Sequence, residues 1–255
     1  MTEGSLRADA VLVARGLARS RGQARELILA GAVRLGGRAI TRPATPVAAT
    51  DELVVTQPDH YVSRAAHKLL GALDDSGTRV SGRVLDAGAS TGGFTQVLLE
   101  RGAQQVYAVD VGHGQLVESL RLDPRVRVHE GVNLRDLALA HLDRRPVDLV
   151  VADVSFISLT LLLPGLLAVL DPDGAALLLV KPQFEAGRSA LDSRGVVRDP
   201  RVRDRVVDDV AALADSLGWP VAWRGPSRLP GPQGNVEFFL RLARRTEPSA
   251  APVRV

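Results

Sequence analysis

Apolar runs of strand length, separated by stretches with helical spacing, dominate the chain from residue 83 onward. The runs are RVLDAG (83–88), QVYAVD (105–110), VRVHEG (126–131), DLVVAD (148–153) and AALLLVK (175–181). Helical periodicity fills about 93–101, 114–121 and 159–169, and returns at 200–217 after the fifth run. Such alternation predicts a doubly wound α/β sheet with helices on both faces. Near the end, VAWRG and VEFFLRL offer two more strands joined by GPSRLPGPQGN.

The first run opens into Asp86-Ala87-Gly88-Ala89-Ser90-Thr91-Gly92-Gly93-Phe94. A glycine-rich turn between strand and helix lets the backbone approach a ligand at the helix N-terminus. The second run ends in Asp110, followed by Val111, where a carboxylate can accept from ribose hydroxyls. A dinucleotide fingerprint needs glycine where Ser90 stands, for close approach to a pyrophosphate. Serine suits a nucleoside cofactor without one, so S-adenosylmethionine (SAM) is expected rather than NAD. The expected cofactor residues are Asp86, Gly88, Ala89, Ser90, Gly92, Gly93, Phe94, Asp110 and Val111. Asn133, just past the third run, reads either as an adenosine contact or as a turn-forming residue.

Charge is concentrated at the other end. Residues 1–42 hold eight arginines against Glu3, Asp9 and Glu26, whereas the whole chain carries a net +3. A basic head on a near-neutral body suits a polyanion-binding module joined to a second domain; a solvated surface is the alternative. In the head, a short helix around Leu6–Ala14 can stop at Gly16. Ser20 then caps a second helix, with Gln23 in capping-box position and Gly31 as its stop. VRLGGRAI reads as a hairpin turning on Gly36-Gly37, and DELVV (51–55) as another strand. Residues 1–60 contain no aromatic, so recognition by base stacking is not available there. Arginines acting on phosphates and groove shape are the allowed mode, and Arg7, Arg19, Arg21, Arg25 and Arg34 are the candidates. The string GLARSRGQARELILAGAVRLGG resembles the small RNA-binding domain of the fourth protein of the small ribosomal subunit. Ala8 departs from that family's usual leucine. The expected domains are a small α+β head over 1–56, a linker over 57–63, a body over 64–245 and a disordered tail over 246–255.

Only two of the 32 cationic side chains are lysines, Lys68 and Lys181. Arginine substitutes for lysine in most surface roles but cannot give up its proton, so a lysine kept in this background suggests amine chemistry. Lys181 closes the fifth strand and Asp153 the fourth, both on the carboxyl edge where open α/β sheets bind ligands. Glu237 comes from GNVEFF, and Lys68 from the helix before the sheet. A structural ion pair between Asp153 and Lys181 is the plainer alternative.

The order Lys68, Asp153, Lys181, Glu237 with GASTGGF and DVSF resembles the FtsJ class of ribose 2′-O-methyltransferases. SRAAHKLLGAL, LDAGASTGGFTQVLL, VADVSFISL, LVKPQFEAG and GPQGNVEFFL are similar to the TlyA family, which joins the head domain to such a body; the resemblance covers roughly residues 6–243. It implies a Rossmann-like SAM-dependent methyltransferase sheet, a Lys-Asp-Lys-Glu tetrad and ribosomal RNA or ribosomal subunits as partner. Members also carry the name haemolysin. A ribose hydroxyl needs a positioned base. Lysine can serve if burial or a second cation disfavours its charge. Lys181 is then the proton acceptor, Lys68 the second cation that also orients the hydroxyl, and Asp153 and Glu237 the holders of the amines.

Phe94, Phe156 and Phe184 each follow a strand end, and either wall the cofactor, stack a nucleotide or pack under loops. His67, Trp219 and Trp223 read as packing residues. The absence of cysteine excludes disulfides, thiolate metal sites and the cysteine-nucleophile type of cytosine methyltransferase, and no metal site is expected. DVSF lacks the Pro-Pro-aromatic run of amino-methylating enzymes. No apolar run is long enough to span a bilayer, so a cytoplasmic monomer without membrane contact is expected. The rivals are a membrane-active haemolysin and a non-catalytic RNA-binding or ribosome assembly factor.

Overall fold

The computed structural model describes residues 5–18, 20–56, 60–231 and 233–244. It separates into two compact units, Met1–His60 and Tyr61–Val255. The first comprises β1 (Leu6–Arg7), α1 (Ala8–Ala14), α2 (Arg21–Leu29), β2 (Val33–Leu35), β3 (Arg38–Ala39), β4 (Pro46–Val47) and β5 (Leu53–Val55). Ser20 Oγ accepts from the Gln23 backbone N–H at 3.2 Å and starts α2. Gly36 and Gly37 both hold positive φ, +54° and +80°. That is the geometry of a two-residue hairpin turn, and it pairs Leu35 with Arg38. Ala8, Leu12, Ala24, Ile28, Val33, Val47 and Leu53 form the core of this unit. Ala8 is fully buried, so the small side chain fits its site.

The second unit contains α3 (Ala65–Ser76), β6 (Arg83–Ala87), α4 (Gly93–Glu100), β7 (Gln105–Asp110), α5 (Glu118–Arg121) and β8 (Val126–Glu130). It continues with β9 (Val147–Ala152), α6 (Leu163–Ala168), β10 (Leu170–Val180), α7 (Pro182–Glu185), α8 (Pro200–Ser216), β11 (Val221–Pro226) and β12 (Phe238–Ala243). One seven-stranded sheet runs in the order β11-β12-β10-β9-β6-β7-β8. The five strands from β10 to β8 are parallel; β12 is antiparallel to both its neighbours. Two apolar layers cover the sheet faces, one around Leu85, Tyr107, Leu178 and Trp219, the other around Leu69, Val97, Leu177 and Phe239. This is the doubly wound α/β architecture, and the direction of winding reverses between β6 and β9, where such sheets open a ligand crevice.

Several boundaries differ from the sequence reading. The helix expected over 114–121 shrinks to Glu118–Arg121, because Gly114 holds φ +64° and breaks the preceding turn. β10 starts at Leu170 rather than 175; Leu170 pairs with Val147 before a register shift across Asp171–Gly174. Tyr61 and Val62, read as linker, pack against the second apolar layer, and the Val62 N–H donates to Gln96 Oε1 at 3.0 Å. Residues 57–59 of that linker, and the tail 246–255, lie outside the described residues. Trp219 is buried, Trp223 is half-buried against the same layer as Tyr61, and His67 meets the Tyr61 ring edge-on. No helix among the described residues is long and apolar enough to cross a membrane.

Candidate active site

Strand register brings the tetrad together. Ala87 pairs with Ala152, so Gly88 and Asp153 leave neighbouring strands at the same level. Val180 pairs with Phe238 across the antiparallel β10–β12 ladder, which sets Lys181 beside Glu237 although one ends a strand and the other precedes one. Lys181 Nζ lies 2.5 Å from Asp153 Oδ1. The contact has the distance of an ion pair but not the angles of a hydrogen bond, since that oxygen has no hydrogen-bond partner. Lys181 donates properly to Ser155 Oγ at 2.8 Å. From α3, Lys68 Nζ donates to Glu237 Oε2 at 2.6 Å, and Gln183 Nε2 donates to Glu237 Oε1 at 3.2 Å. Both lysines are 8% exposed and Glu237 is 1% exposed. The result is two buried Lys–carboxylate pairs facing one cavity.

The glycine-rich turn borders that cavity. Gly88 has φ +87°, and a Cβ there would lie 2.7 Å from the Asp153 carbonyl oxygen, so only glycine lets β6 and β9 splay at this level. Ser90 also holds positive φ, +48°. Its N–H donates to Asp110 Oδ2 at 2.8 Å and its hydroxyl to Gln115 Oε1 at 3.1 Å, which fixes the strained residue. Asp110 Oδ1 accepts from the Gly112 N–H at 2.7 Å. A carboxylate offers about four acceptor directions, so Asp110 keeps capacity for ribose hydroxyls. Asn133 caps a short 3-10 turn by accepting from the Arg135 N–H at 3.0 Å, and it also lines the crevice. Gly92 stands apart, facing Leu116 and Leu120.

Asp86 sits beneath the turn, fully buried. Thr95 Oγ1 donates to its Oδ2 at 2.6 Å, while Oδ1 has no partner. Burial pushes its carboxyl up to about 7; the Thr95 hydrogen bond opposes this, and the charges of Asp153 and Asp110 add to it. The sign for stability follows. Between the unfolded value of about 4 and the folded value, the folded state binds the extra proton, so stability declines as pH rises toward 7. At about 1.4 kcal/mol per pKa unit, the whole effect is on the order of 4 kcal/mol. Asp86→Asn is therefore expected to raise the unfolding midpoint at pH 8 and to change it little at pH 5. Thermal melts of both proteins across that range check this, and parallel curves contradict it.

Two connected hollows open along the edge. One of about 730 Å³ is lined by Lys68, Asp153, Lys181, Glu237, Ala89, Gly93 and Phe94 among others. A second of about 620 Å³ is lined by Asp110, Val111, Asn133, Ile157 and Leu162, and shares Gly88, Ser90, Asp153, Ser155 and Phe156 with the first. Their donor set fits SAM. Asp110 faces a partly apolar wall suited to adenosine, and the Asp110 and Asp153 carboxylates that line the second hollow favour a ligand with a positive centre over a pyrophosphate. Phe94 is buried against Phe239. Phe156 is 92% exposed with φ +64°, and its ring centroid lies 5.2 Å from that of Phe184. Ser155, Gln183 and Asn235 were not singled out from the sequence. Each is polar and follows or precedes a strand at the carboxyl edge, which is the signal that could have found them. Asn235 bridges two loops, donating to the Gly195 carbonyl at 3.0 Å and accepting from the Val197 N–H at 3.1 Å.

In the N-terminal unit, Arg7 and Arg21 converge on Asp9. Arg25 is exposed, and Arg34 donates to the Gly37 carbonyl at 3.0 Å. Arg19 lies outside the described residues.

Comparison with known proteins agrees with this geometry. A family model described as FtsJ-like methyltransferase matches residues 61–244, and one described as S4 domain matches residues 6–53. A Mycobacterium tuberculosis protein named 16S/23S rRNA (cytidine-2′-O)-methyltransferase TlyA is 54% identical over 244 residues, covering 94% of this chain and 91% of the relative. Hemolysin A of Brachyspira hyodysenteriae is 38% identical, covering 93% of this chain and 99% of its own. A structure from Streptococcus thermophilus, solved under a hemolysin name, superposes with a TM-score of 0.73 at 38% identity, covering 95% of this chain and 90% of that one.

Proposed function

The chain belongs to the FtsJ-like methyltransferases, within them to the TlyA family, and on that premise we propose that it methylates the ribose 2′-hydroxyl of a cytidine in ribosomal RNA, with SAM as donor and Lys181 as general base. The observation that carries this reading is the pair of buried lysine–carboxylate contacts beside the Gly88–Phe94 turn. SAM, when bound, supplies a methyl carbon whose bond to sulfur breaks as the bond to oxygen forms. The remaining work is alignment and proton removal. Asp110, Val111 and Asn133 hold the nucleoside end. Ser155 accepts one of the hydrogens of the Lys181 amine and Asp153 holds the amine by charge, and together they aim it. Lys68, held by Glu237, orients the incoming hydroxyl and adds a second positive charge to the cavity.

The head supplies RNA affinity through its exposed arginines, in keeping with the S4 match. The hemolysin names of two relatives have no counterpart in a membrane-crossing helix among the described residues. A cytoplasmic enzyme working on ribosomes or their RNA is the setting this chemistry requires. The test is to incubate the protein with isotope-labelled SAM and separated ribosomal subunits, then digest the RNA and analyse the nucleosides by mass spectrometry. Label is expected in 2′-O-methylcytidine. Label on a base, or none in any subunit or free ribosomal RNA, overturns the proposal.

A further inference from the structure

Two arginines of the head share one carboxylate that is almost shut off from water. Arg7 Nε and Nη2 donate to Asp9 Oδ1 and Oδ2 at 3.0 and 2.9 Å, a bidentate fork. Arg21 Nη2 reaches Oδ2 at 3.2 Å. The Asp9 side chain is 8% exposed, whereas those of Arg7 and Arg21 are 52% and 63% exposed. The three residues come from β1, the first turn of α1 and the first turn of α2, so one acid ties together the open ends of three elements. Arg7 spends two of its five donors on Asp9, and Arg21 commits only its Nη2 group, which reaches both Asp9 oxygens. Most donors of both forks therefore remain for a ligand, and the cluster keeps one net positive charge.

A free arginine loses much side-chain freedom when a phosphate captures it, and fixing the fork beforehand removes that loss from binding. The acid also opposes a polyanion. It lies beneath the guanidiniums, where two cations neutralise it and salt screens the remainder. Pre-fixing two long side chains outweighs one neutralised, screened charge.

We propose that Asp9 is a positioning residue for RNA binding, holding Arg7 and Arg21 as a ready-made seat for one backbone phosphate. This rests on the reading of the head as an RNA-binding unit and gives that reading a specific arrangement. It also makes a prediction of unusual sign. Removing a negative charge from a polyanion-binding face strengthens binding if arginines act only as point charges. Asp9→Asn in the full chain is instead expected to weaken binding to isolated ribosomal subunits about fivefold at 0.15 M salt. In an Arg7→Gln, Arg21→Gln background the same change should no longer weaken binding, which a loss of fold would not reproduce. Thermal midpoints measured alongside report the fold. If Asp9→Asn does not fold, Arg7→Lys with Arg21→Lys keeps every charge but loses the forks, and the same weakening is expected. If the double glutamine variant binds like the parent, Arg7 and Arg21 seat no phosphate and the proposal falls, while the RNA-binding reading of the head then rests on its other arginines, Arg25 and Arg34. If it binds more weakly while Asp9→Asn, or the double lysine variant, binds as well as or better than the parent, the seat alone is refuted.

Discussion

Lys181→Arg is expected to lower methyl transfer about a thousandfold, the usual range for loss of a positioned general base, while SAM still binds. The substitution keeps the positive charge beside Asp153 and a donor for Ser155, the two contacts that fix the native amine. What it removes is the ability to accept a proton, because a guanidinium stays charged at any working pH. A thousandfold is about 4 kcal/mol of barrier, too large for a small misplacement of a group whose charge is retained. Lys181→Met sharpens the comparison by removing charge and base together. If Lys181 is the base, both variants fall to the same residual rate; if it serves as a fixed cation, arginine recovers most of the activity that methionine loses. Single-turnover rates with ribosomal subunits, and calorimetry with SAM, separate these outcomes.

Much of this site was legible because strand ends are legible. Asp153 and Lys181 close apolar runs, and parallel strands must deliver their ends to one edge. Glu237 stood out through the GNVEFF motif and the family resemblance; that an antiparallel last strand brings its beginning to that same edge appears only in its ladder with β10. Long-range side-chain pairing was not legible. Lys68 and Glu237 are 169 positions apart, and no local pattern says which lysine takes which acid. Asp86 looked like a cofactor contact because it stands in the turn; its full burial depends on α4 and Thr95 closing over it, a packing fact with no periodic signature. The head behaved alike. Its hairpin and caps follow from local chemistry at Ser20 and Gly36-Gly37. The coupling of Arg7 to Arg21 through Asp9 appears only once α1 and α2 pack. Short elements escaped for a related reason: β4 begins with Pro46 and pairs through two residues, less than any alternation test can register.

Glu237→Ala is expected to destabilise the catalytic unit by about 3–5 kcal/mol, the range for removing one partner of a buried ion pair. The loss is large because three things happen at once. Lys68 is left as a 10% exposed ammonium without its counter-charge, Gln183 loses the acceptor of its Nε2 donor, and the packing of a 1% exposed side chain at the cavity wall is given up. For a unit of this size the unfolding midpoint should drop by roughly 10 °C. Such a loss alone does not distinguish a structural pair from a functional one, but replacing both partners does. Lys68→Met with Glu237→Leu removes the charges together and fills their volume, and buried pairs exchanged for apolar residues in this way are commonly neutral or stabilising. The double variant is therefore expected to recover most of the midpoint lost by Glu237→Ala while its methyl transfer remains as low as that of the single variant. Recovery of both stability and activity would mean that the pair is a strut. Recovery of stability alone means that the fold carries a buried charge pair its stability does not need, the outcome expected if Lys68 orients the ribose hydroxyl.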